Sequence, residues 1–119
     1  PLLKIGIKWD REVLRERVRQ RTERMIVAGL IEEVRGLLAV GLATWAPLSG
    51  VGYKEVIEYL QGKRTREWLV EEITKNTMGI AKRQRTWFQR DPEVFWFDGA
   101  TEFSLATEKV NEFLDKSWA

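Results

Sequence analysis

Arg17, Arg21 and Arg24 recur at spacings of four and three residues, which carries their guanidinium groups along one side of a helix. Leu14, Val18 and Met25 repeat with the same period. Arg21 falls in the middle of that apolar stripe, with Arg17 and Arg24 on its flank. A guanidinium directed into an apolar interior requires a carboxylate or a phosphate, because an unpaired buried charge is costly. Arg is also suited to bidentate capture of phosphate oxygens. Two partners stand open: an internal carboxylate, with Glu32 and Glu33 as candidates, or a phosphate-bearing ligand.

A second concentration of positive charge lies further along. Lys63 to Arg90 holds eight basic and three acidic residues, a local net charge of +5 in a chain whose formal net charge is only +2. Within it Lys75, Lys82 and Arg85 fall on one helix face together with Met78. Leu69, Ile73, Ile80 and Trp87 fall on another, joined by Asn76 and Arg83. Basic side chains repeated along a face match a phosphate backbone, the source of most nucleic-acid affinity. A solvated helix face has the same pattern. Trp87 and Phe88 are placed either to stack on bases or to fill a core. The loop from Leu48 to Lys54 is a third candidate, since Gly50 and Gly52 flank Val51 and let backbone approach a ligand; a simple helix-start turn explains it equally well.

Composition removes several chemistries. With no Cys there is neither a disulfide framework nor a thiolate metal site, and with no His the usual zinc sites and imidazole acid–base catalysis are excluded. No apolar run approaches the roughly 18 residues of a membrane helix and no signal-peptide pattern opens the chain, so we expect no membrane association and a cytoplasmic location. No Gly-rich phosphate loop with its Lys occurs. The chain opens on Pro1 and enters a strand pattern at once, from which we expect a fragment of a longer protein.

The elements that must position these residues are mostly helical, with two short strands. Leu3, Ile5, Ile7 and Trp9 alternate with Lys4, Gly6 and Lys8 as a half-buried strand does. Asp10 caps a helix that runs to Ala28, where Gly29 stops it. A second helix is expected from Leu30 to Val40, a loop from Leu42 to Val51, and a third helix from Tyr53 to Leu60. Thr65 caps a long fourth helix to about Gln89, and Asp91-Pro92 breaks it. Val94 to Phe97 is the second strand. A final helix from Glu102 to Lys116 is expected to bury Leu105, Val110, Phe113 and Leu114.

These pieces occur together in one family. Arg15-Glu-Arg-Val-Arg-Gln-Arg-Thr-Glu-Arg-Met25, Gly29-Leu-Ile-Glu-Glu-Val34, Val51-Gly-Tyr-Lys-Glu55, Tyr59-Leu-Gln-Gly62 and Ala81-Lys-Arg-Gln-Arg-Thr-Trp-Phe88 resemble the tRNA dimethylallyltransferases, in the family's order and at about its spacing. The resemblance covers roughly residues 3 to 97 and implies an α/β parent with a P-loop kinase-like core. This chain would be its C-terminal part, with the phosphate-loop core and an inserted helical domain upstream.

The implied reaction moves a dimethylallyl group from dimethylallyl diphosphate to the exocyclic amine of the adenosine 3′ of the tRNA anticodon. Mg²⁺ would be held mainly by residues outside this chain, which by itself would be inactive. The partners implied are the anticodon stem-loop of tRNA and dimethylallyl diphosphate. By position, Arg21 resembles a catalytic diphosphate contact, with Arg17 beside it. Ser49, Gly50, Val51, Gly52 and Tyr53 resemble a tRNA-facing loop. So do Lys75, Thr77 and the segment Ala81, Lys82, Arg83, Gln84, Arg85, Thr86, Trp87 and Phe88 on the fourth helix. One departure is Thr77-Met78, where the family usually has Thr-Arg. The rival from another class is a stand-alone, non-catalytic RNA-binding helical module.

Overall fold

Alternation near the N-terminus produces a strand, and the later periodic stretches produce helices. A computed structural model describes residues 2–118, with side chains described for residues 2–116. The order is β1 (Lys4–Lys8), α1 (Arg11–Val27), α2 (Leu30–Ala39), a 3₁₀ turn (Ala46–Ser49), α3 (Tyr53–Leu60), α4 (Arg66–Gln89), β2 (Val94–Asp98) and α5 (Phe103–Trp118). The chain is thus mostly helical with two short strands, each element close to its expected bounds. The 3₁₀ turn is an addition inside the expected loop, at Pro47. No helix among the described residues is long and apolar enough to cross a membrane.

The chain divides into two compact units, residues 15–81 and residues 2–14 with 82–118. In the first, Ile26, Val34, Val56, Leu69, Val70 and Ile73 form the buried core, flanked by half-buried Leu30, Tyr53, Ile57 and Trp68. Each fully buried aliphatic side chain contributes about 1.5–3 kcal/mol. Two threonines share this interior. Thr22 Oγ1 donates to the Val18 carbonyl at 2.9 Å and Thr74 Oγ1 to the Val70 carbonyl at 2.7 Å, so neither hydroxyl is buried without an acceptor. Thr65 Oγ1 accepts from the Trp68 amide at 3.0 Å and caps α4.

In the second unit β1 and β2 pair in parallel, from Lys4 opposite Val94 to Lys8 opposite Asp98. Gly6 lies against the Trp96 indole, and a Cβ at that position would overlap the ring, so the pairing requires glycine there. Lys4 Nζ reaches Asp91 Oδ2 at 2.6 Å and Glu93 Oε2 at 3.3 Å. The hydrogen bond to Lys4 is the main reason the Asp91 carboxyl titrates below the usual carboxylate range, and the same contacts raise the Lys4 ammonium. α5 packs against β2 by a different face from the one expected. Ala106 is its buried residue, whereas Leu105, Val110 and Leu114 are exposed and Phe113 half-buried. Lys109 covers Phe95, with its ammonium 4.3 Å from the ring centre.

Candidate functional site

On α1 the buried residues are Thr22 and Ile26, while the expected Leu14, Val18 and Met25 are half-buried beside them and Arg21 is not at the centre of the covered face. Arg21 is exposed. The rotation has a plain cause: Thr22 counts as polar in a periodicity reading, yet its in-helix hydrogen bond lets it serve as core. The expectation that folding directs Arg21 into an apolar interior is therefore corrected.

The arginines of α1 divide by partner. Arg15 Nη2 donates to Glu71 Oε2 of α4 at 2.6 Å. Arg19 bridges Glu23 at 2.7 Å and Glu16, which raises the guanidinium's pKa and holds the Glu16 carboxyl below its ordinary range. Arg21 makes no side-chain hydrogen bond or ion pair with any described residue, so neither Glu32 nor Glu33 is its partner. Arg17 lies one turn before it, also exposed.

The Ser49–Tyr53 loop is a tied turn. Ser49 Oγ donates to the Ala46 carbonyl at 2.7 Å, the Gly50 amide to the Pro47 carbonyl at 3.2 Å, and the Lys54 amide to the Gly50 carbonyl at 3.1 Å. Ser49 and Gly50 are exposed, Val51 and Tyr53 half-buried, and Gly52 is buried with φ of 99°. Tyr53 Oη donates to Glu33 Oε1 at 3.1 Å, and that bond is the largest cause of its raised phenol pKa. Glu55, absent from the site residues expected from sequence, anchors the turn: its Oε2 accepts the Gly52 amide at 2.6 Å while the residue is 2% exposed. The signal that reveals it is the three-residue spacing from a helix N-cap to a Glu.

The residues expected on α4 fall into two environments. Lys75 is exposed and lies 3.5 Å from Glu72, while Thr77, Met78 and Ala81 are half-buried. From Lys82 to Arg90 every residue is exposed. Arg83, Gln84, Arg85 and Thr86 belong to this run, with Thr86 Oγ1 donating to the Lys82 carbonyl at 2.9 Å. Trp87 is 71% exposed and Phe88 49%, so neither is core within this chain. Arg21 and the Ser49–Tyr53 loop, both within residues 15–81, are not joined by any hydrogen bond or ion pair among the described residues. Nor do these residues include a group of three or more carboxylates able to hold a metal ion.

Within residues 15–81 the site thus offers an exposed arginine clear of carboxylates and a tied glycine turn, and the end of α4 separately offers exposed basic and aromatic side chains. Comparison with known proteins places them in a family. Residues 1–91 match the model of the IPP transferases, and the chain belongs to that family. It is 63% identical over 114 residues to a tRNA dimethylallyltransferase of Bdellovibrio bacteriovorus, covering 96% of this chain and 37% of that protein. A tRNA dimethylallyltransferase of Carboxydothermus hydrogenoformans is 41% identical over 111 residues, with 93% and 35% covered. The crystal structure of the full-length tRNA isopentenylpyrophosphate transferase of Bacillus halodurans superposes with a TM-score of 0.84 at 33% identity, over 97% of this chain and 38% of that one. The chain therefore spans little more than a third of the length of the relatives it matches.

Proposed function

We propose that this chain is the C-terminal part of a tRNA dimethylallyltransferase, whose phosphate-loop core and inserted helical domain lie upstream. The names of its relatives favour a transferase over a non-catalytic RNA-binding module. The full-length enzyme would bind the anticodon stem-loop in the cytoplasm and transfer the dimethylallyl group to the adenosine amine. In that reaction the carbon–oxygen bond to the diphosphate breaks, a carbon–nitrogen bond forms, and the amine loses a proton to a base outside this chain. In this reading Mg²⁺ is bound mainly by residues outside this chain, and the described residues hold no group of three or more carboxylates able to bind it.

Arg21 is the observation that carries the reading. Its neighbours Arg15 and Arg19 are committed to carboxylates, whereas its guanidinium is exposed and clear of them. As the diphosphate departs it gains negative charge, and a guanidinium free to pair with it, with Arg17 alongside, stabilises the transition state. The Ser49–Tyr53 loop and the Lys75, Thr77 and Ala81–Phe88 positions of α4 face tRNA in this reading.

Arg21→Ala in the full-length enzyme should lower kcat/KM at least about 10²-fold, the scale for losing one oriented charge-stabilising donor. Arg21→Lys should recover only part, because an ammonium lacks the bidentate fork. Thermal stability should move little, since the Arg21 side chain pairs with no described residue. A variant that is destabilised yet retains kcat/KM would overturn the assignment.

A further inference from the structure

Glu55 is the third residue of α3, 2% exposed, with only one of its two carboxylate oxygens engaged. Oε2 accepts the Gly52 amide at 2.6 Å, whereas Oε1 is buried with no hydrogen-bond partner among the described residues. Packing alone does not account for it. A Glu at the third helix position can reach the N-cap amide from the surface, and a buried apolar side chain of similar volume would avoid desolvating a carboxylate. What the carboxylate does uniquely is hold the Gly52 peptide, whose φ of 99° and ψ of −54° lie where L side chains are strained. The Gly52 carbonyl in turn accepts the Val56 amide at 3.3 Å, so both ends of this residue are fixed.

We propose that Glu55 is a positioning residue for nucleic acid: by holding the Gly52 amide it fixes the conformation in which the Ser49–Tyr53 loop meets tRNA. This deepens the tRNA reading of that loop and rests on it. Glu55 sits beneath the loop and touches no substrate itself. Its effect should accordingly fall on recognition of the RNA and spare the chemistry of prenyl transfer. Gly52 offers a second handle on the same turn. A Cβ built there meets no atom within 4 Å, so Gly52→Ala disturbs the backbone conformation without a clash.

The test is steady-state kinetics of the full-length enzyme with tRNA and dimethylallyl diphosphate, alongside melting temperatures. Glu55→Leu and Gly52→Ala should each raise KM for tRNA about tenfold, the consequence of losing one buried charge-assisted hydrogen bond or the turn it holds. kcat at saturating tRNA and KM for dimethylallyl diphosphate should stay near the parent values. Glu55→Gln keeps an acceptor oxygen in the same place and should restore most of the tRNA affinity. The proposal is overturned if Glu55→Leu binds tRNA normally, or if both substrates suffer equally in step with a lower melting temperature. It is likewise overturned if Glu55→Gln behaves like Glu55→Leu. Should Glu55→Leu fail to fold, Gly52→Ala and Glu55→Gln decide the matter. Parent enzyme that turns over neither substrate would instead remove the transferase reading itself.

Discussion

The two halves of α4 are one helix made on two different principles. Between Leu69 and Thr74 the helix buries Leu69, Val70, Ile73 and Thr74, and its position is dictated by packing. From Lys82 to Gln89 every residue is exposed, among them Lys82, Arg83, Arg85, Trp87 and Phe88. A helical stretch with no packed face has little tertiary reason to persist. The first half shows what the fold needs, and the second is the half to which we assign tRNA.

That contrast can be broken most severely from the packed side. Leu69→Ala should cost about 2–5 kcal/mol of stability, as large-to-small changes at fully buried sites do. A melting curve measures it, and the change should carry no selective loss of tRNA affinity. A smaller effect is expected from the exposed half. Replacing Lys82 and Arg85 by Ala should leave stability within about 0.5 kcal/mol of the parent. It should flatten the dependence of log affinity for tRNA on log salt by about one unit for each phosphate no longer neutralised. An unchanged slope would mean that this half meets something other than phosphate.

The smallest effect concerns the ion pair just past the helix end. Asp91 has a depressed folded pKa because of Lys4, so its stabilisation is complete above the unfolded carboxylate value of about 3.9 and is lost as pH falls through the folded one. Asp91→Asn should remove that share of the acid-side fall in melting temperature and change little near neutrality. Both side chains are partly exposed, which keeps the contribution small.

Most of the fold was legible because local signals agreed with one another. Asp10, Thr65, the glycines after α1, α2 and α3 and the Asp91-Pro92 break after α4 bound the elements, and period-two alternation marked β1. The parallel pairing of β1 with β2 was not legible, since nothing local in either strand names its partner. Face assignments failed wherever an apolar count stood in for burial. Thr22 and Thr74 are core because their hydroxyls bond within their own helices, and Ala106 displaces the larger apolar residues of α5. Of the candidate site, the residue types of the Arg-rich and basic stretches were visible early. The position of Arg21 outside the packed face, and the anchoring of Gly52 by Glu55, required coordinates, because both depend on which side of a helix is covered.

The pairing of Lys4 with Val94 has a consequence for the order of assembly. Joining those strands closes a loop that contains nearly every other element, and closure entropy grows with the length enclosed. The helices of residues 15–81 are built from contacts nearer in sequence and can form before that closure. We therefore expect the strand pair to zip last, and loss of the first eight residues to leave β2 without its partner while the helical core still folds.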